Sequence, residues 1–218
     1  MFLPDLVPTP WESSFPEGKK HFCRMFSPKV DQYIEGYLKE EHNVLKDFFV
    51  DNPQTKNMSF CAIGSAKLLH IKLVEHYAKN YTAIDPLLSL FMPPSAYKDL
   101  AKSNMIYINQ SFEKVQKKSL LEGKCIYAFL FNVIQYVKDP LKAINRLVEE
   151  GDIIFISTWN ETPLSHALKK NYYKYVFSCG ESVPSFKNNF SLQYDKVKNY
   201  KEHKLFSNKI TKCQIIYT

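Results

Sequence analysis

Met58-Ser59-Phe60-Cys61-Ala62-Ile63-Gly64-Ser65-Ala66 is the stretch that decides the fold. Met58 to Ile63 is a short apolar run of the kind that is buried on both faces of a sheet. Gly64-Ser65 then turns the chain, and from Ala66 onward Leu69, Leu73 and Tyr77 recur on one side of a helix. Strand, turn and helix in that order open a parallel βαβ unit. The rhythm continues with a strand at Tyr81–Ile84 closed by Asp85-Pro86, a helix around Ala96–Lys102, a strand at Met105–Asn109 and a charged helical segment near Glu113–Leu121. Cys125–Leu130 is apolar throughout, as expected for a strand covered on both faces in mid-sheet. Asp139-Pro140 starts a helix with Leu141, Ile144, Leu147 and Val148 on one stripe. Gly151-Asp152 turns the chain into a strand at Ile153–Ser157, and Thr162–Phe177 reads as another helix. Tyr194–Tyr200 and Lys212–Tyr217 alternate in character and suit an antiparallel closing pair at the sheet edge.

The expected fold class is therefore α/β: a Rossmann-like, doubly wound, mostly parallel seven-stranded sheet with an antiparallel C-terminal strand and an N-terminal helical arm. Residues 1–54 form the arm and a helical lid, and residues 55–218 the sheet domain. Four prolines within Met1–Pro16 mark an extended lead-in. Ser27-Pro28 then opens a helix on which Tyr33, Ile34, Tyr37, Leu38, Leu45 and Phe48 share a face, and Asp51-Asn52-Pro53 ends it.

The chain has 218 residues, 45% of them hydrophobic, enough for one well-buried core. No run approaches the roughly 18 apolar residues of a membrane-spanning helix, and the start lacks the pattern of an export signal. Five cysteines, Cys23, Cys61, Cys125, Cys179 and Cys213, are widely spaced and never paired as C-x-x-C, which argues against a disulfide framework and a zinc cluster. A reducing, cytoplasmic setting is expected. Six scattered histidines give no metal-ligand spacing, so no metal is expected, and His70 and His76 read as helix-surface residues. A net charge of +7 permits an acidic partner. Arg24 and Arg146 are the only arginines, however, and arginine's bidentate fork is the usual reader of phosphates and bases, so nucleic acid is possible and not favoured.

In an open parallel sheet, ligands bind beyond the carboxyl ends of the strands where strand order reverses. The residues at those ends are Gly64 and Ser65, Asp85, Gln110 to Phe112, Phe131, Asn132 and Tyr136, and Trp159 and Asn160. Gly64 lets the backbone turn tightly and a ligand approach without a side chain in the way. Asp85 lies 85 − 64 = 21 residues later, at the next strand end, where a carboxylate can accept two hydrogen bonds from a ribose diol. Together they suggest an adenosine-type ligand.

Over residues 55–218 the layout resembles the class I S-adenosylmethionine-dependent methyltransferase family. Three passages carry the likeness: Phe60 to Ala66 at the glycine loop, Tyr81 to Pro86 at the ribose acid, and Phe131-Asn132-Val133-Ile134-Gln135-Tyr136-Val137-Lys138-Asp139-Pro140 after strand four. The resemblance implies S-adenosylmethionine as cofactor, held by Ala62, Ile63, Gly64, Ser65, Asp85, Pro86, Ser111, Phe112, Phe131 and Asn132. Within that set Asp85 would take the ribose hydroxyls, Ser111 and Phe112 would flank the adenine, and Asn132 would line the methyl-donor side. Tyr136 and Asn160, with Tyr33 and Tyr37 of the lid, are the candidates near the methyl acceptor, beside Trp159. The family's acidic residue before the first glycine and its two further glycines are replaced here by Ala62, Ala66 and Leu68, and its acid after strand three by Ser111. Three functions follow: methyl transfer to a small molecule, a non-catalytic methyltransferase-like binding or scaffold subunit, and an RNA or protein methyltransferase.

Overall fold

The computed structural model describes residues 28–64, 68–86, 105–120, 122–176 and 192–218. In chain order they form α1 (Pro28–Asp51), β1 (Ser59–Ile63), α2 (Ile71–Tyr77), β2 (Asn80–Ile84), β3 (Met105–Ile108), β4 (Cys125–Phe129), α3 (Pro140–Leu147), β5 (Ile153–Trp159), α4 (Pro163–Val176), β6 (Glu202–Ser207) and β7 (Thr211–Tyr217). The sheet is seven-stranded, in the order β3-β2-β1-β4-β5-β7-β6. The first five strands in chain order run parallel, and β7 pairs antiparallel with both β5 and β6. This is the expected doubly wound α/β fold, with β4 at the centre of the sheet.

Every residue of β1 and β4 is buried, as their unbroken apolar runs require. Alternate side chains feed two cores. Cys61, Ile63, Tyr127 and Phe129 pack against Ile144 and Leu147 of α3 and against Phe112, Val115 and Leu120. Phe60, Ala62, Ala128 and Phe155 pack on the other face against Leu45, Phe48 and Phe49 of α1 and Val74 of α2. A third cluster joins the first half of α1 (Val30, Ile34, Tyr37) to Trp159 and to Tyr172, Tyr173 and Val176 of α4. The helical arm is thus an integral layer, laid along one face of the sheet.

Four local expectations are corrected. The helix after β1 starts at Ile71, because Leu68 and His70 adopt left-handed backbone angles (φ 50° and 59°) that no helix continues through. The stretch near Glu113–Leu121 forms two short 3-10 turns, Phe112–Lys114 and Lys117–Ser119, whose apolar residues are too few for a helix stripe. Tyr194–Lys196 is a third such turn, and the partner of β7 is Glu202–Ser207, one segment later than the alternating run suggested. His70 is no surface residue: its side chain is 7% exposed and paired with a buried glutamate. The helix expected around Ala96–Lys102 lies outside the described residues.

At the amino ends of the strands, Asp152 is fully buried and clamps β4 to β5. Its Oδ1 accepts from the Cys125 N–H at 2.8 Å and its Oδ2 from the Glu149 N–H at 2.8 Å, with Lys117 Nζ 3.6 Å away. Truncating it leaves two inward-facing N–H groups without acceptors. Asp152→Ala should lower stability by about 2–3 kcal/mol, read as a shifted urea midpoint at unchanged m-value; a midpoint within error of wild type would contradict the clamp.

Candidate functional site

The strand order reverses between β1 and β4, so the crevice of an open sheet falls at their carboxyl ends. The register pairs Ile63 with Ile84 and Ile63 with Phe129. Gly64, Asp85 and the Leu130-Phe131-Asn132 turn therefore stand side by side at the tops of adjacent parallel strands. Gly64 N–H donates to Ile84 O at 2.8 Å and Asp85 N–H to Ile108 O at 3.1 Å, which continues the ladder one step past each strand. Asp85 is 6% exposed, a carboxylate held close at the rim.

Gly64 is required where it stands. Its φ is +68°, and a Cβ built on it would come within 2.0 Å of Val133 Cγ2. Val133 follows two consecutive left-handed residues, Phe131 (φ 46°) and Asn132 (φ 62°). Neither is glycine, and such angles cost about 1–2 kcal/mol per residue. Strain of this size persists only where the surroundings over-determine it.

The surroundings are supplied by Glu41 of α1, which is fully buried. Its Oε1 accepts from the Phe131 N–H at 2.7 Å and from the Ser157 hydroxyl. Its Oε2 lies 2.7 Å from His70 Nε2, which must carry the hydrogen because a carboxylate only accepts. Ser157 Oγ also lies 2.8 Å from the Tyr37 hydroxyl, and Asn132 N–H donates to Ser157 O at 2.9 Å. One carboxylate thus ties α1, the entry to α2, the end of β4 and β5 together. Burial, and then the charge of Glu41, push the Tyr37 hydroxyl well above the ordinary tyrosine range.

Glu41 was not among the residues that the sequence singled out. Its signal was there: Ile34, Tyr37, Leu45 and Phe48 mark the buried face of α1, and position 41 falls on that face. A glutamate in an apolar stripe is a buried charge in need of partners.

The other expected residues divide into groups. Ala62 and Ile63 are buried on opposite faces of β1 and belong to separate cores. Phe112 is also in the core, edge-on to Phe129 with ring centroids 5.1 Å apart, while Ser111 and Pro86 are half-buried at the ends of β3 and β2. Arg146 of α3 donates to Phe112 O at 3.0 Å and to Glu113 O, anchoring the turn after β3. Ser65 lies outside the described residues. Asn132 is buried, and its Nδ2 has no hydrogen-bond partner among the described residues.

Phe131 stacks edge-on to Tyr37 (5.0 Å) and Tyr172 (5.4 Å), next to Trp159. Tyr136 meets Tyr173 hydroxyl to hydroxyl at 3.3 Å, and Gln135 Nε2 donates to the same Tyr173 oxygen at 2.8 Å. Burial, and then its tyrosine neighbours, push the Tyr136 hydroxyl up, so it keeps its proton and offers a hydrogen bond. Tyr33 packs on Tyr175 at the α1–α4 seam, with ring centroids 5.4 Å apart. Asn160 is engaged elsewhere: its amide donates to Ser207 Oγ at 2.9 Å and to Asn208 O, fastening the end of β5 to the β6–β7 turn. The strand ends bring Gly64, Asp85, Phe131 and Asn132 together; Tyr37 packs on Phe131, Tyr33 and Tyr136 pair with Tyr175 and Tyr173 of α4, and Asn160 stands with the hairpin.

The fold is that of the Rossmann-like methyltransferases. Among solved structures it is similar to the citrinin polyketide synthase CMeT domain (TM-score 0.60, 14% identity, covering 94% of this chain and 62% of that one). It is also similar to magnesium protoporphyrin IX methyltransferase (ChlM) from Synechocystis PCC 6803 with bound SAH (TM-score 0.56, 13% identity, 96% and 98% covered). The same enzyme with bound SAM matches over the full length of both chains at a TM-score of 0.52. No protein-family model matches the chain, and no curated protein matches it.

Gly64→Ala should cost at least about 2 kcal/mol, part from the left-handed backbone and part from overlap with Val133. Adding Val133→Ala should restore the overlap part alone, a positive coupling in a chemical-denaturation cycle. Additive effects would mean that the two residues do not touch.

Proposed function

We propose that the chain binds S-adenosylmethionine across the carboxyl ends of β2, β1 and β4 and passes its methyl group to a small-molecule acceptor. The observation that carries the reading is the adjacency of Gly64 and Asp85 at the strand-order reversal, the place where this kind of sheet takes ligands. The groups present fit an adenosyl amino acid. The Asp85 carboxylate can accept from a ribose diol, and Gly64, at φ +68°, turns the chain sharply beside it. The Asn132 amide, buried beside Tyr173 and with no well-formed hydrogen bond at Nδ2 among the described residues, can donate to the carboxylate of the amino acid end. Arg146 would keep Ser111 and Phe112 in place beyond β3 through the two carbonyls that it holds.

The cofactor, when bound, supplies a methyl group on an activated sulfonium leaving group. What remains for the protein is alignment and exclusion of water, so no strong base is needed. Tyr136, Tyr33 and Trp159 would line the acceptor's side, with Tyr136 as a hydrogen-bond donor. Tyr37, through Ser157, and Asn160, through the β6–β7 turn, would act by holding the end of β5. A small-molecule acceptor is supported by the resemblance to ChlM, which is described as acting on magnesium protoporphyrin IX. One feature favours a second reading, a binding subunit without turnover: the methyl groups of Val133 pack directly on Gly64. Release of S-adenosylhomocysteine with any acceptor excludes that reading.

Asp85→Ala should weaken binding of S-adenosylhomocysteine by about 1–3 kcal/mol, roughly 5- to 150-fold, through loss of hydrogen bonds to a charged acceptor. Titration calorimetry reads this directly. Unchanged affinity removes Asp85 from the site, and no heat from the wild-type protein removes the cofactor.

A further inference from the structure

Glu41 is a buried charge whose position calls for a purpose beyond packing. A carboxylate without exposure is costly unless paired, and replacement by an apolar residue of similar volume is often neutral or stabilising. Here the carboxylate sits in the middle of an apolar stripe, where a leucine would serve packing better. Its two oxygens reach from His70, at the entry to the helix after β1, to Phe131, at the end of β4. The carboxylate therefore lies between the entry to α2 and the carboxyl ends of β4 and β5, next to the turn that follows β4. Both partners are held in left-handed conformations, and Asn132, the residue after Phe131, is left-handed as well and buried. Strained backbone and a buried, hydrogen-bonded carboxylate thus meet at the turn after β4, and strain of that kind clusters at ligand sites.

We propose that Glu41 makes this crevice selective for a cationic ligand, favouring the sulfonium form of the methyl donor over its neutral thioether product. This rests on the cofactor reading above and adds to it a role for a side chain of the arm. Glu41 is a positioning residue for Phe131 through its hydrogen bonds and an electrostatic one through its charge. The two roles separate by experiment. Positioning affects both ligand forms alike, because they differ only at the sulfur. The charge acts on their ratio, because a cation gains from a nearby anion in a low-dielectric site and a neutral thioether does not.

The test is the ratio of Kd values for S-adenosylhomocysteine and S-adenosylmethionine, by calorimetry, in wild type, Glu41→Gln and His70→Gln. Glutamine at 41 keeps the shape and can still accept from the Phe131 N–H. Glu41→Gln should reduce the preference for S-adenosylmethionine at least tenfold relative to wild type, while His70→Gln weakens both ligands and leaves the ratio within twofold. An unchanged ratio in Glu41→Gln overturns the proposal and leaves the cofactor reading standing; absence of binding of either ligand to wild type overturns both. Wild-type protein offers the same test should the variant not fold. An adenosyl analogue with a protonated amine in place of the sulfonium should compete at least ten times better than one with a neutral methylene there, and equal competition overturns the proposal.

Discussion

A single buried carboxylate organises the top of this sheet. Glu41 reaches from the first helix to the Phe131 N–H, the Ser157 hydroxyl and His70, and so fastens three separate chain segments to one anion. Hydrogen bonds to an ionised acceptor are about twice as strong as neutral ones, and burial raises the penalty for losing any of them. That is what allows Phe131 and His70 to occupy backbone angles that bulky residues avoid. Without the anion, the turn after β4 has no reason to hold two left-handed residues in succession, and Val133 has no reason to close on Gly64.

Helix α1 is therefore part of the construction at the carboxyl ends of β4 and β5. Leu45, Phe48 and Phe49 bind its second half to the sheet face, and Tyr37, Ile34 and Val30 bind its first half to α4. Glu41 lies at the junction of these two apolar zones. The rigidity of both sides fixes where its charge falls. At the amino ends of the strands Asp152 plays a simpler part, clamping the starts of β4 and β5 and facing Lys117. Asp152 thus marks the amino ends of the central strands and Glu41 their carboxyl ends, where the unusual backbone lies.

The sheet was legible in the sequence because strands such as Cys125–Phe129 and Ile153–Trp159 are apolar enough to have no other place than mid-sheet. The rim residues Gly64, Asp85 and Asn132 followed from where those strands end. What escaped reading depends on contacts distant in sequence. Glu41 and Ser157 are 116 residues apart, and no periodicity reports that pairing. His70 read as a helix-surface residue because the spacing of Leu69, Leu73 and Tyr77 suggested a helix from Ala66, whereas its left-handed φ of 59° places it before the helix. Tyr194–Tyr200 read as a strand from alternation alone, yet Leu192 and Val197 enter the core on either side of a 3-10 turn, and β6 forms beyond it with largely exposed residues. The absence of glycine at position 68 is resolved by the backbone: Leu68 takes the left-handed angle itself, at φ 50°.

A ligand crevice across β2, β1 and β4 is tested most directly by amide NMR of the isotopically labelled protein during titration with S-adenosylhomocysteine. The signals of Gly64, Asp85, Phe131 and Asn132 should move together with one apparent Kd, while those of Cys125 and Asp152 at the far ends of the strands stay in place. Saturating ligand that leaves the first group unmoved, or that shifts the second group instead, would contradict the site.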